Sequence, residues 1–168
     1  MATIADHQIR RLCREQGLVE PFDPDLVNPA SIDVTLGSTI LREGGAGENR
    51  WEPVDIENGI YSLAPGEFVL AHTAELIRVP NDLECVFNLK SSRGREGFDH
   101  LMAAYIDPGF TGSVTLELVN VNRYHRLPLE HGMRIGQLRF STLDATPLRS
   151  YAVTGRYFGD STVQPSRG

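Results

Sequence analysis

The segment AAYIDPGFTGSVTLELVN, residues 103–120, contains a Pro-Gly turn followed by the clearest strand pattern in the chain. Successive side chains of a strand point to opposite faces of the sheet. Leu116 and Leu118 are therefore expected on one face, with Glu117 between them on the other. This arrangement predicts a half-buried strand whose single carboxylate lies among apolar neighbours.

The same alternation of apolar runs and turns extends outward over most of the chain. Short runs rich in Val, Ile, Leu, Phe and Thr are separated by Gly, Pro, Asn or Asp, which is typical of an antiparallel β-sandwich or barrel. One amphipathic helix is expected at the amino terminus, over residues 4–16. Strands are expected over residues 31–36, 68–75, 84–89, 114–120 and 135–142.

Length and charge restrict the class of protein. A chain of 168 residues with 40% hydrophobic residues can bury one core, which predicts one compact domain. The net charge of -6 argues against a surface that binds a nucleic acid polymer, because such surfaces need a positive field. No long apolar run suggests a signal peptide or a membrane span, so a cytoplasmic protein without a membrane partner is expected.

Two segments have little apolar content. Residues 42–49 combine glycines with charged side chains and predict a mobile surface loop. Residues 151–168 form a polar tail, which we expect to be disordered or to be ordered by a ligand or a neighbouring subunit.

Two further features could support chemistry. Residues 90–95, KSSRGR, concentrate three cations and two hydroxyls after a strand, which suits either an anion site or a solvated surface turn. Glu117 could be a catalytic acid/base, since loss of hydration raises the pKa of a carboxyl group. The alternative is a glutamate on the solvated face of its strand.

Six motifs in the same order resemble the dCTP deaminase branch of the dUTPase superfamily. They are PASIDVTLG (29–37), PGEF (65–68), KSSRGR (90–95), IDPGFTG (106–112), LEL (116–118) and GMRIGQL (132–138). The resemblance implies an all-β, distorted jelly-roll or β-barrel with a short amino-terminal helix. It also implies a homotrimer with active sites between subunits, residues 1–150 as the barrel domain and residues 151–168 as a tail closing the active site.

The resemblance also implies site residues, by position in the motifs. Glu117 matches the catalytic glutamate, Arg95 the arginine that supports the reacting centre, and Ser91 the serine near the attacking water. The remaining matches are to substrate-binding positions, with no protein side chain assigned to a metal: Lys90, Ser92, Arg93, Gly94, Ala103, Asp107, Thr115, Leu116, Gln137, Tyr151, Arg156 and Asp160. Among these, Lys90 and Ser92 match positions that contact phosphate.

Two departures from the family pattern bear on the substrate. Asp160 stands where relatives carry a glutamine that grips the terminal phosphates, so it could repel a triphosphate, hold a bridging Mg²⁺ or accept a hydrogen bond from another subunit. Ala104-Tyr105 favours the relatives that also remove pyrophosphate.

The cysteines argue against the zinc chemistry of common cytidine deaminases. Cys13 and Cys85 lie far apart and neither belongs to a Cys-x-x-Cys pair, so both are expected to be small buried residues. The expected reaction is zinc-independent hydrolysis of dCTP to dUTP and ammonia, with Mg²⁺ bound through the nucleotide phosphates. The alternatives are a bifunctional enzyme forming dUMP, a deaminase of dCMP or a 5-substituted nucleotide, and a non-catalytic nucleotide-binding trimer.

Overall fold

The computed structural model describes residues 2–45, 50–101 and 103–168, and most of its regular structure is β-strand. Its helices are α1 (Asp6–Gln16), α2 (Ser91–Glu96) and α3 (Tyr151–Thr154), with a 3-10 turn at Pro24–Leu26. Its strands are β1 (Val19–Glu20), β2 (Val27–Asn28), β3 (Ser31–Thr35), β4 (Thr39–Glu43), β5 (Trp51–Asp55), β6 (Ile60–Leu63), β7 (Phe68–His72), β8 (Leu76–Arg78), β9 (Leu83–Leu89), β10 (Phe98–Asp99), β11 (Tyr105–Ile106), β12 (Thr111–Gly112), β13 (Thr115–Asn120), β14 (Leu127–Glu130) and β15 (Arg134–Thr142).

Two five-stranded antiparallel sheets carry the core. One has the order β10-β13-β7-β4-β5 and the other β11-β9-β15-β3-β2, with smaller sheets β1-β8-β12 and β14-β6 beside them. Both large sheets contribute fully buried side chains, among them Leu116 and Leu118 from β13 and Phe140 from β15. The expected all-β class with a short amino-terminal helix is confirmed.

Helix α1 lies close to its expected position. Its apolar face buries Ile9 and Cys13, and it ends at Gly17, whose φ of 65° is the left-handed conformation that favours glycine. The helix begins two residues later than expected because Ile4 is drawn into the sheet, where its amide donates to the Phe140 carbonyl at 3.0 Å.

All five expected strands are present, with ends that differ by one to three residues. The largest difference is in β7, which ends at His72 instead of residue 75. There the chain turns, because the Thr73 hydroxyl donates to the Glu75 carbonyl at 2.8 Å. The expected loop over residues 42–49 is partly wrong, since Arg42 and Glu43 belong to β4, while residues 46–49 lie outside the described residues.

The tail folds against its own chain. The Ser113 amide donates to the Asp160 carbonyl at 2.7 Å, and the Gly159 amide donates to the Thr111 carbonyl at the same distance. Val163 is buried, with 5% of its surface exposed. Main-chain hydrogen bonds beside β12 thus hold a segment that has few apolar side chains. No helix among the described residues is long and apolar enough to cross a membrane.

Candidate active site

A cavity of about 710 Å³ lies between β13 and the tail. Its floor includes Thr115 and Glu117, from the outward face of β13, and Asp107 lies in its wall. Tyr151, Asp160 and Gln164 line it from the tail. This one cavity thus brings together six of the residues selected from sequence: Glu117, Ala103, Asp107, Thr115, Tyr151 and Asp160.

Glu117 is the half-buried carboxylate of this cavity. The alternation along β13 is as expected, with Leu116 and Leu118 in the core and Glu117 opposite Leu70 on β7. Its Oε2 atom is buried and has no hydrogen-bond partner among the described residues. Burial raises the pKa of this carboxyl group above its ordinary value, as expected from its apolar neighbours. A proton-exchanging group therefore faces a space large enough for a ligand.

Aromatic rings form much of the cavity wall. Trp51 meets Phe68 edge-on with ring centroids 5.8 Å apart, and Phe110 lies 5.6 Å from Tyr151. Sequence reasoning did not select Phe68 or Phe110, because an aromatic residue in a strand or turn indicates a packed core equally well. An apolar wall of this kind lowers the local dielectric and strengthens the electrostatic effects of the polar groups beside it.

Asp160 is an ion-paired residue. Its Oδ1 accepts from Arg167 Nη2 at 2.9 Å, while its Oδ2 is buried without a partner in the described part of the chain. Arg167 also lies over the Tyr157 ring, 5.2 Å from the centroid. The guanidinium offsets the negative charge that Asp160 brings to the cavity, so the repulsion expected for a bare carboxylate at this position is reduced.

The tail is also joined directly to β13. The Gln164 amide donates to Thr115 Oγ1 at 3.3 Å, two residues before Glu117. Movement of the tail would therefore break a contact to the strand that carries the carboxylate.

Helix α2 lies outside this cavity. Ser91, Ser92 and Arg95 are exposed, none of the helical residues is buried, and neither Lys90 nor any residue of α2 is part of the cavity lining. Lys90 Nζ lies 2.5 Å from Asp33 Oδ2. Within one chain, the structure does not bring the expected catalytic pair Ser91 and Arg95 to Glu117. Arg93 and Gly94, which are also expected substrate-binding residues, lie in α2 as well and are likewise outside the cavity.

The other expected substrate-binding residues have different surroundings. Leu116 packs in the core, where its backbone pairs with Ala71 of β7. Gln137 lies on β15, and its Oε1 atom accepts a hydrogen bond from the Ser31 hydroxyl at 3.0 Å. Arg156 lines a second cavity of about 510 Å³ that shares Tyr105, Asp107, Tyr151 and Tyr157 with the first.

The charge of the main cavity is negative. Asp107, Glu117 and Asp160 contribute carboxylates, of which that of Asp160 is paired with Arg167, whereas Arg50 is the one cation among the described lining residues. Such a lining, taken alone, repels a polyanionic ligand.

Metal-binding side chains are not clustered in the described residues. No group of three or more His, Cys, Asp or Glu side chains there is arranged to hold a metal ion. Both thiols are buried, and burial raises the pKa of Cys13 to about 11 and that of Cys85 well above its ordinary value. The thiolate form needed of a metal ligand is therefore disfavoured at both cysteines.

Comparison with known proteins agrees with the motifs. Residues 3–143 match the family described as dCTP deaminase-like. A Thermobifida fusca protein named "dCTP deaminase, dUMP-forming" is 38% identical, with 98% of this chain and 91% of that protein covered. A protein of the same name from Aquifex aeolicus is 36% identical, with coverages of 98% and 93%.

A solved structure supports the same assignment. The crystal structure of 2'-deoxycytidine 5'-triphosphate deaminase from Agrobacterium tumefaciens matches with a TM-score of 0.69 and 28% identity. The match covers 84% of this chain and 48% of that chain, so this chain spans about half its length. Family match, sequence relatives and fold agree, and the chain belongs to the dCTP deaminase-like family.

Proposed function

We propose that this protein hydrolyses the exocyclic amino group of dCTP and that the product it releases is dUMP. The observation that carries the proposal is Glu117, a carboxylate with a raised pKa and an unpartnered buried oxygen in an aromatic-walled cavity. General acid/base catalysis needs such a group, held close to the substrate and able to change protonation state near neutral pH.

The residues suit hydrolytic deamination. Water adds to C4 of cytosine as the Glu117 carboxylate accepts one of its protons and passes it to ring N3. Glu117 then takes the proton of the new C4 hydroxyl group and delivers it to the departing amino group. The C4–N bond breaks and ammonia leaves, so the base becomes uracil and Glu117 returns to its starting form. The family resemblance adds Ser91 to position the water and Arg95 to support the developing charge.

The charge distribution supports a site shared between chains. A nucleotide triphosphate needs cations, yet the described lining of the cavity has three carboxylates and one arginine. Helix α2 carries Arg95, which is exposed, and Arg93, which is half-buried and paired with Glu96, and both lie outside the cavity of their own chain. In the homotrimer implied by the family, α2 of one subunit supplies these groups to the cavity of the next. Residues 1–150 then form the barrel domain, and the tail at residues 151–168 closes the shared site.

The names of the relatives favour the bifunctional alternative over release of dUTP. The Thermobifida fusca and Aquifex aeolicus proteins are both named as dUMP-forming. Ala104-Tyr105 at the cavity wall agrees with this reading. The full reaction then consumes dCTP and two water molecules and releases dUMP, pyrophosphate and ammonia. Mg²⁺ enters as part of this substrate, held by the nucleotide phosphates.

Product analysis tests the proposal directly. Purified protein is incubated with dCTP and Mg²⁺, and the nucleotides, ammonia and pyrophosphate are quantified over time. We expect dUMP, ammonia and pyrophosphate in equal amounts. Ammonia with dUTP would restrict the activity to deamination, and absence of ammonia would overturn the proposal. Parallel reactions with dCMP and 5-methyl-dCTP report the preference for phosphate number and base.

The pH dependence of kcat should reflect Glu117. The carboxylate is the form that takes a proton from water, so we expect kcat to fall as the pH is lowered through the pKa of this group. Burial raises that pKa, which places the fall at a higher pH than an exposed glutamate would give. Steady-state rates measured across the acid range check this. A rate that rises on acidification would contradict the assigned direction of proton transfer.

Activity should not depend on zinc. The two cysteines are buried with raised pKa values and do not form a pair, so a thiolate-bound zinc has no basis in the described residues. We expect full activity after the protein is dialysed against a zinc chelator and returned to Mg²⁺. Metal analysis of the dialysed protein is the control. Recovery only on addition of zinc would contradict the zinc-independent mechanism.

A further inference from the structure

An ion pair between a buried carboxylate and a partly exposed lysine lies beneath the segment that carries Ser91 and Arg95. Asp33 is in the middle of β3, and its side chain is on the face opposite the core residues Ile32 and Val34, yet the residue is only 2% exposed. Its Oδ2 lies 2.5 Å from Lys90 Nζ, and its Oδ1 accepts from Asn28 Nδ2 at 2.8 Å. A buried charge is tolerated only when it is paired and hydrogen-bonded in this way.

Helix α2 has little else to fix its position at this end. It is six residues long, contains Gly94, buries no side chain and has no side-chain cap at its start. A helix this short is unstable in isolation. The free-energy cost of ordering its first turn exceeds the stabilisation from the few hydrogen bonds that it can form. Its far end is tied by Asn122, whose Nδ2 donates to the Glu96 carbonyl at 2.7 Å.

Lys90 ties the near end. It is the residue before the first helical turn, its amide donates to the Ile135 carbonyl at 3.1 Å, and its carbonyl accepts from Gly94 at 3.1 Å. The ammonium group then reaches down to Asp33. Lys90 therefore links the start of α2 to β15 through its backbone and to β3 through its side chain.

We infer that Asp33 is a positioning residue, which holds Lys90 and so fixes the start of α2 in the orientation that presents Ser91 and Arg95. The inference rests on the proposed deaminase function of these two residues. It gives Lys90 a different role from the phosphate contact implied by its motif. The lysine acts as an anchor, and phosphate recognition falls to the exposed groups of α2.

The two roles for Lys90 differ in kinetics. A phosphate ligand contributes to substrate binding, so its loss raises KM. An anchor controls the geometry of groups that act on the water and the base, so its loss lowers kcat, and a displacement near 1 Å can cost about 10²-fold. Lys90 can act as an anchor only if Asp33 is present to pair with it, whereas Lys90 could bind a phosphate group without Asp33.

The test uses Asp33→Asn, Lys90→Gln and the double variant in the full-length protein. Asp33→Asn keeps the shape of the side chain and removes the charge that holds Lys90. We expect kcat for dCTP to fall by about tenfold to 100-fold, whereas loss of a phosphate ligand alone would raise KM and leave kcat unchanged. In the double variant, loss of Lys90 should add nothing to the loss of Asp33, since the pair is already broken.

Amide hydrogen exchange supplies a readout that does not need activity. We expect exchange of amides 91–97 to accelerate by at least about tenfold in Asp33→Asn, with the amides of β9 and β15 unchanged. The double variant leaves no unpaired ion, so it stays measurable if a single variant fails to fold. Arg134→Gln is the matched control, because Arg134 Nη1 lies 3.8 Å from the same carboxylate but belongs to β15 and makes no link to α2.

Several outcomes would overturn the inference. Unchanged exchange at α2, unchanged kcat, or a raised KM with kcat retained would each do so, as would a further loss of dCTP affinity when Lys90→Gln is added to Asp33→Asn. If the unmodified protein releases no ammonia from dCTP, the proposed function fails, and the exchange experiment still decides whether Asp33 anchors the helix.

Discussion

Replacement of Glu117 by glutamine should reduce kcat for dCTP deamination by about 10²- to 10⁴-fold, the range that general acid/base groups contribute. The amide keeps the size of the side chain and can hydrogen-bond, but it cannot accept a proton from water and return it. Nucleotide affinity should change little. Ammonia release under single-turnover conditions gives the chemical step, and equilibrium binding of dCTP gives the affinity.

The matched control is Glu130→Gln, the same change at an exposed strand position outside the cavity. We expect it to leave kcat within about twofold of the original, as for most surface substitutions. Substantial turnover by Glu117→Gln would remove this residue from the catalytic role. Loss of dCTP binding with the chemical step intact would make it a binding residue.

Complementation between two inactive variants should restore activity. In the proposed trimer, Glu117 and Arg95 of one active site come from different chains. Arg95→Ala and Glu117→Gln are each expected to be nearly inactive alone. In mixed trimers, a site that takes Glu117 from one variant and Arg95 from the other is intact. Every mixed trimer then has one intact site in three, because only one of its three neighbouring pairs of chains has the required order.

Co-expression of the two variants with different tags, followed by purification through both tags, provides the mixed assembly. Its specific activity is compared with that of each parent. The control is a mixture of Glu117→Gln and Glu117→Ala, in which no intact site can form. Activity no higher than that of the parents would show that Glu117 and Arg95 do not complement each other across chains, and would contradict the shared site.

The candidate site was predicted from sequence where local pattern determines the environment. Strict alternation in β13 placed Glu117 between two core leucines, and the structure confirms its partial burial, which raises the pKa of the carboxyl group. The turn at Asp107-Pro108-Gly109 was also expected, and Gly109 has a φ of 86° that few other residues adopt. These features depend on neighbours within a few positions.

Strands that contain proline were missed for a physical reason. Pro53 lies in β5 and Pro128 in β14, and a proline removes a hydrogen-bond donor, which argues against a strand when only sequence is considered. Both strands are at sheet edges, where a missing donor is tolerated. The edge position follows from the whole sheet and is not visible locally.

The arrangement of the tail could not be predicted from its composition. Its polar side chains indicated a segment unable to bury itself, but the hydrogen bonds from Ser113 and Gly159 join backbone groups, which every sequence has. Likewise, motif order placed Ser91 and Arg95 in one functional set with Glu117 without indicating that α2 lies outside the cavity of its own chain.

The acidic lining of the cavity has a consequence for regulation. If an isolated chain repels nucleotide and the cations arrive only with a second chain, then binding and assembly are thermodynamically linked. Substrate at 100 times its dissociation constant would stabilise the assembled form by about 2.7 kcal/mol per site. A rise in nucleotide concentration would thereby favour assembly of chains into trimers with complete active sites, and a fall in nucleotide concentration would favour dissociation of the trimers.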